Sequence, residues 1–248
     1  MPVIIIPARK GSTRLKNKLL LPVKGKPVIY WTAVNAAKTR NIDKVIVATD
    51  SKEIADIFKD QEKIEAVLTP SDLKSGSDRV AFVAKNLKDD KIINVQGDEP
   101  LLDPEDIEKV VNGLDEAPVA TLSFPIKKEE DYLNPNIVKV VVDKENFALY
   151  FSRSPIPFYR DIDFSNMIES FKNPVKKHIG VYGYRKDALM DFAYSLKPSP
   201  LEEIEKLEQL RLLYNGYRIK VFQAKKDTLG IDTEEDFKKF CLIMNEKN

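Results

Sequence analysis

Four short runs rich in β-branched residues, Val3 to Ile6, Lys44 to Thr49, Ala66 to Thr69 and Ile92 to Val95, punctuate the first hundred positions. Between them lie stretches with helical spacing near 27–39, 52–59 and 77–88. Strands this short and this apolar cannot leave one face in water, so helices must cover both sides of the sheet they form. Alternation with helices also supplies the long crossovers that parallel pairing needs, and the pattern predicts a parallel α/β architecture. In such sheets ligands gather at the carboxyl ends of the strands. That rule places three segments on one rim: Pro7 to Lys18, Ser71 to Arg79 and Gln96 to Pro100.

From about Val119 the sequence becomes strand-rich, in "VATLSFPI", "IVKVVVD", "FALYFSRS" and "HIGVYGYR". This predicts an antiparallel portion spanning approximately 119–200 within one domain of 1–248. Pro155 to Lys177 is poorly patterned, and a connection of that length fits a lid, a partner surface or a mobile segment. Ser199 as N-cap, Pro200 at the first position, Glu202 completing a capping box and Gly216 as stop predict one helix between them. A strand over Arg218 to Ala224 and a helix after "GIDTEED" close the chain.

Charge is distributed unevenly. The first 42 residues hold nine Lys or Arg and no acid, although the whole chain carries only +1. A near-neutral balance with one early cluster argues against nucleic acid as the partner. One cysteine, Cys241, and one histidine, His178, exclude a disulfide framework and the multi-cysteine or two-histidine metal motifs. The longest uncharged stretch, Pro27 to Ala37, is far short of a membrane span, and no signal-peptide layout opens the chain. A cytoplasmic protein without membrane association is expected.

Five cations, Arg9, Lys10, Arg14, Lys16 and Lys18, follow the first strand in a loop that also holds Gly11, Ser12 and Thr13. The loop matches neither GxxxxGK[ST] nor GxGxxG, so two common nucleotide folds drop out. It reads either as a solvated basic loop or as a polyphosphate cradle of backbone N–H groups and cations, and its place on the rim favours the cradle. In "INVQGDEP" the carboxylates Asp98 and Glu99 sit in a turn at a strand end. In "GIDTEED" Thr233 and Asp236 can cap the helix, which leaves Asp232 available. Two carboxylates sharing a divalent ion with phosphate oxygens is the usual magnesium arrangement. Arg79 falls in a first helical turn, where a cation opposes the dipole; either a ligand draws it there, or it pairs with Asp72 or Asp78. His178 opens a strand and by position alone is a structural hydrogen-bonding residue. Glu208 and Gln209, beside the apolar stripe of Leu201, Ile204, Leu207 and Leu210, read as surface by themselves, and Arg153 in "YFSRSPIP" shows no role alone.

Taken in order, "IIPARKGSTRLKNK", "IVATD", "SGSDR", "NVQGDEP", "NPNIVKVVVD", "ALYFSRSPIP", "HIGVYGYR", "PSPLEEIEKLEQLR" and "GIDTEED" resemble the CMP-Kdo synthetase family, the 3-deoxy-manno-octulosonate cytidylyltransferases. The likeness runs from end to end. It implies a Rossmann-like nucleotidyltransferase fold with a smaller antiparallel region for dimerisation and sugar binding, a homodimer, and Mg2+-dependent coupling of CTP with the sugar acid Kdo for lipopolysaccharide synthesis. It further implies that Ala8, Arg9, Arg14, Lys18, Ser75, Gly76, Arg79 and Gln96 surround the nucleotide. By the same resemblance Asp98 and Asp232 would hold the metal, and with Lys18 they would form the catalytic set. Arg153, His178, Tyr182, Glu208 and Gln209 surround the sugar acid, with Arg153 suited to its carboxylate by a forked contact. One departure is Leu19, where relatives commonly have proline after the lysine. Rival readings are a cytidylyltransferase for a sialic acid or 8-amino-Kdo, and a nucleotide sensor without catalysis.

Overall fold

The computed structural model describes residues 1–11, 15–172 and 174–246. Its strands are β1 Val3–Ala8, β2 Pro22–Val23, β3 Lys26–Pro27, β4 Val45–Thr49, β5 Ile64–Leu68, β6 Lys91–Asn94, β7 Val119–Pro125, β8 Lys139–Val142, β9 Ala148–Ser152, β10 Lys176–Arg185 and β11 Ile219–Gln223. The helices are α1 Val28–Ala36, α2 Lys52–Asp56, α3 Gly76–Ala84, α4 Pro104–Gly113, α5 Glu129–Leu133, α6 Phe164–Ser170, α7 Lys186–Met190, α8 Pro200–Glu205, α9 Gln209–Tyr214 and α10 Glu234–Glu246.

The main sheet runs β11-β7-β10-β6-β1-β4-β5. Neighbours pair in parallel except around β10, which is antiparallel to both β6 and β7. All six residues of β1 are buried, as a central strand covered on both faces requires. Alternation sorts its side chains. Ile4, Ile6 and Ala8 join α1, α2 and α4 in one core, while Val3 and Ile5 join α3, α7 and α9 in the other.

The four strands expected after Val119 pair antiparallel, β7 with β10, the start of β10 with β8, and β8 with β9. β7 and β10 lie in the main strand order, and β8 and β9 branch from it. The stretch after Pro155 contains α6, whose Phe164 and Met167 pack with Ile126, Tyr132 and Val175 in a separate small core. The capping box at Ser199 and Glu202 forms with Pro200 in the first turn. The helix it opens is not continuous to Gly216, however. Lys206 adopts a left-handed conformation (φ 55°), which ends α8 and lets α9 restart at Gln209.

Candidate active site

A cavity opens at the carboxyl ends of β1 and β6, and all three rim segments contribute to its lining: Pro7, Arg9, Gly11, Lys18 and Leu19; Ser75, Gly76 and Arg79; Gln96, Gly97 and Asp98. Asp232 arrives from the far end of the chain. Local chemistry explains each arrival. Gly97 packs its backbone so close to Pro7 that an added Cβ would stand 3.2 Å from the Pro7 carbonyl oxygen. Thr32 of α1 donates its hydroxyl to the Gly97 carbonyl at 2.8 Å, which fixes the turn. The Ile231 amide then donates to the Asp98 carbonyl at 2.9 Å, tying the C-terminal segment to that turn. Thr233 and Asp236 cap α10 reciprocally, with Thr233 N–H donating to Asp236 and Asp236 N–H donating to Thr233. Asp232 is left facing the cavity.

There the Lys18 ammonium meets both carboxylates, donating to Asp98 and, at 2.8 Å, to Asp232. Burial would pull this ammonium's pKa down, but the two carboxylates outweigh it and raise it above the ordinary lysine value. Among the described residues no group of three or more His, Cys, Asp or Glu side chains forms a ready-made metal cage. Two carboxylates converging on one cation are nevertheless a donor set that suits Mg2+, which takes its remaining ligands from water and phosphate oxygens.

Glu99, next in sequence, faces the other way. Its Oε2 is shut off from solvent, and Oε1 lies where a Cβ at Gly230 would approach to 3.1 Å. Burial, with Asp98 beside it, pushes its carboxyl up to about 8. Glu99 therefore keeps its proton at neutral pH and packs the turn against the C-terminal segment.

Arg79 pairs with neither Asp72 nor Asp78. It is 2% exposed and donates to Asp50 at the end of β4 at 3.1 Å, and also to the Thr69 hydroxyl and the Pro70 carbonyl. Asp78 is the acid of the α3 capping box with Ser75. Asp50 also accepts the Lys10 amide at 3.2 Å, so one carboxylate ties the basic loop to Arg79. Asp50 escaped the sequence reading although "IVATD" ends a strand at the ligand rim, the signal that should have flagged it. Ala8 contributes no side chain to the cavity; it is fully buried in the core and can offer a ligand only its backbone. Arg14 lies outside the described residues.

The five residues expected around a sugar acid do not line this cavity. His178 lines a second one with Glu99, Asn136, Lys177, Thr228 and Gly230, and a Cβ added at nearby Gly180 would stand 3.9 Å from the Gln96 side chain of the first. An irregular register in β10 between Ile179 and Tyr182 brings His178 within 3.0 Å of Thr121, the residue opposite Tyr182. The Thr121 hydroxyl has one hydrogen, and Val181 O at 2.7 Å takes it. His178 Nε2 must then be the donor, leaving Nδ1 as an acceptor. Burial pushes the imidazole down to about 3, so it is neutral at physiological pH. Burial likewise raises the Tyr182 hydroxyl, which keeps its proton. Tyr182 and His178 pack with ring centroids 5.2 Å apart.

Glu208 and Gln209 are not surface residues. The break at Lys206 turns them inward; Gln209 is 8% exposed, and burial raises the Glu208 carboxyl while the Ser77 and Ser75 hydroxyls at the start of α3 lower it. Arg153 is more committed than a free fork. Its Nε donates to Glu205 O at 2.8 Å, Nη1 to Pro135 O at 3.1 Å and Nη2 to Lys206 O at 3.5 Å. One N–H on each terminal nitrogen remains.

Comparisons with known proteins point one way. A family model described as cytidylyltransferase matches residues 3–221. The 3-deoxy-manno-octulosonate cytidylyltransferase of Chloroherpeton thalassium is 47% identical, over 99% of this chain and 98% of its own. That of Francisella tularensis subsp. novicida is 45% identical over 98% of each. A solved structure of CMP:2-keto-3-deoxy-manno-octonic acid synthetase complexed with CTP superposes with a TM-score of 0.90 at 37% identity, covering 100% of this chain and 99% of that one.

Proposed function

This chain belongs to the 3-deoxy-manno-octulosonate cytidylyltransferase family, and from that premise we propose that it transfers the CMP unit of CTP to the anomeric hydroxyl of Kdo, releasing pyrophosphate. The observation that carries this reading is the meeting of Asp98 and Asp232 at Lys18 in the cavity on the ligand rim.

In the reaction the anomeric oxygen forms a bond to the α-phosphorus, the bond from that phosphorus to the bridging oxygen of pyrophosphate breaks, and the hydroxyl proton passes to water. Both the attacking oxygen and the leaving group carry developing negative charge that has to be met inside the site. Asp98 and Asp232 would hold an Mg2+ ion, which would meet that charge and lower the pKa of the hydroxyl. Lys18 and Arg9 bind the β- and γ-phosphates and neutralise the departing pyrophosphate; Arg14 shares that task by sequence. Ser75, Gly76 and Gln96 hold the nucleoside end, and Arg79, locked to Asp50, keeps the loop above it in place.

Arg153 receives the acid's carboxylate on its two remaining N–H groups, and Glu208 and Gln209 bind hydroxyls. His178 offers a neutral acceptor nitrogen. With its pKa near 3 it orients the sugar rather than removing the proton. The enzyme acts as a homodimer through the 119–200 portion, a reading supported by Phe158, Leu149 and Leu133, which are 82%, 62% and 53% exposed there. No described helix is long and apolar enough to cross a membrane.

The test is to incubate the protein with CTP, Mg2+ and, separately, Kdo, 8-amino-Kdo and a sialic acid while measuring pyrophosphate. Release with Kdo well above the others is expected. Release with another acid alone would move the specificity, and none with any acid would favour a nucleotide sensor.

A further inference from the structure

Lys139 is fully buried, yet it is a lysine. Its ammonium donates to three backbone carbonyls, Asn134 O at 2.9 Å, Ile137 O at 2.6 Å and Arg153 O at 2.6 Å. Those three bonds use every hydrogen an ammonium has. Lys139 therefore has no donor left for a substrate, and whatever it does is done through its neighbours.

An ammonium taken out of water and bonded only to carbonyls is an expensive way to hold a turn, since an apolar side chain of similar length usually packs as well or better. The neighbours show what the charge achieves. The Arg153 carbonyl is held by Lys139, and the Arg153 amide donates to Glu205 Oε2 at 2.9 Å. The guanidinium is held by Pro135 O, in the same turn that Lys139 collects, and by the carbonyls of Glu205 and Lys206. Lys206 is the left-handed residue that breaks the helix before Glu208 and Gln209. One knot thus joins the turn before β8, the end of β9 and the α8–α9 break. It contains two cations, Lys139 and Arg153, and one carboxylate, Glu205, which also accepts from the Ser152 hydroxyl at 2.6 Å. The excess is one positive charge, at the place where Arg153 keeps a two-pronged fork open.

We propose that Lys139 is a positioning residue for the acceptor: it fixes the Arg153 backbone and the turn that holds its guanidinium, and keeps the knot one charge positive, so that the fork is set for the carboxylate of the sugar acid. This rests on the reading that Arg153 meets that carboxylate. Among the described residues no hydrogen bond runs from Lys139, Arg153 or Glu205 to the residues that line the nucleotide cavity, and the link through Glu208 to Ser75 and Ser77 is indirect, so the effect falls mainly on one substrate.

Steady-state kinetics with each substrate varied in turn, on Lys139→Met, Lys139→Gln and Arg153→Met, test the proposal. Loss of one charge-assisted contact to the carboxylate corresponds to about ten- to hundredfold in affinity. Lys139→Met is expected to raise KM for Kdo by about tenfold or more and leave KM for CTP within about twofold, with Lys139→Gln, which keeps two donors, recovering part of the loss. A merely structural lysine would lower the melting temperature and leave that split absent. If Lys139→Met does not fold, Lys139→Gln decides: a folded protein with both constants unmoved overturns the proposal. Arg153→Met separates the two layers, since an unchanged KM for Kdo there removes the carboxylate reading and Lys139's role with it. A raised KM there with unmoved Lys139 variants overturns the Lys139 inference alone.

Discussion

Replacing Lys18 with methionine removes the ammonium that donates to both Asp98 and Asp232. The two carboxylates then lose the cation they share; for a separation of about 5 Å two unit charges repel by about 1–3 kcal/mol at an effective dielectric between bulk water and a protein surface. Asp98 is 22% exposed and Asp232 42%, so solvent screening holds the cost toward the lower end. For a chain of this size, 1–3 kcal/mol corresponds to roughly 2–12 °C in melting temperature. On the proposal that Asp98 and Asp232 hold the metal, the Lys18 ammonium that bonds both of them would compete with the ion, and phosphates that drew Lys18 away would favour metal binding. Differential scanning fluorimetry of the nucleotide-free protein should show Lys18→Met melting below wild type without Mg2+ and gaining more than wild type when Mg2+ is added. Equal Mg2+ shifts in the two proteins, or a variant that melts above wild type and ignores Mg2+, would refute the reasoning.

His178→Gln should raise KM for Kdo more than KM for CTP, and wild-type rates between pH 6 and 9 should carry no inflection from this imidazole, whose pKa is pushed down to about 3. Loss of all turnover with unchanged binding of both substrates would make it the general base instead. Glu99 titrates in the opposite sense. Its folded pKa is raised to about 8 from 4.5, so the fold holds a proton that the unfolded chain has lost, and stability falls as pH rises through that window. Between pH 6.5 and 8.0 this amounts to about 2 kcal/mol, which denaturant midpoints should record in wild type and not in Glu99→Gln. Identical slopes in the two proteins would count against a protonated Glu99.

Local signals in the sequence proved dependable where they concern one element. The apolar runs that became β1, β4, β5 and β6, the box at Ser199 and Glu202, and the box at Thr233 and Asp236 each follow from a few adjacent residues. What could not be read locally depends on partners brought by the sheet. Asp98 and Asp232 lie 80 and 214 positions from the lysine they share, and only the strand order makes them neighbours. Asp50 reaches Arg79 because β4 ends beside α3, a pairing that competes with two nearer acids. The helix break was hidden for another reason. A left-handed residue usually announces itself as glycine or asparagine, and here it is Lys206, so the stripe from Leu201 to Leu210 looks continuous and Glu208 and Gln209 look exposed. Lys139 sits in a strand whose neighbours are valines, and its burial becomes intelligible only when the carbonyls around it are seen.

The central claim is that Asp98 and Asp232 act as one unit on the metal and the α-phosphate, and a double-mutant cycle on CMP-Kdo formation tests it most directly. Asp98→Asn, Asp232→Asn and the pair should all fold and retain CTP binding through the basic loop. Each single variant should lose about hundredfold or more in turnover even at raised Mg2+, and the double variant should lose little beyond either single one, because removing half of a shared site already disables it. A folded Asp232→Asn protein that turns over near the wild-type rate, or two losses that multiply in the double variant, would contradict the account.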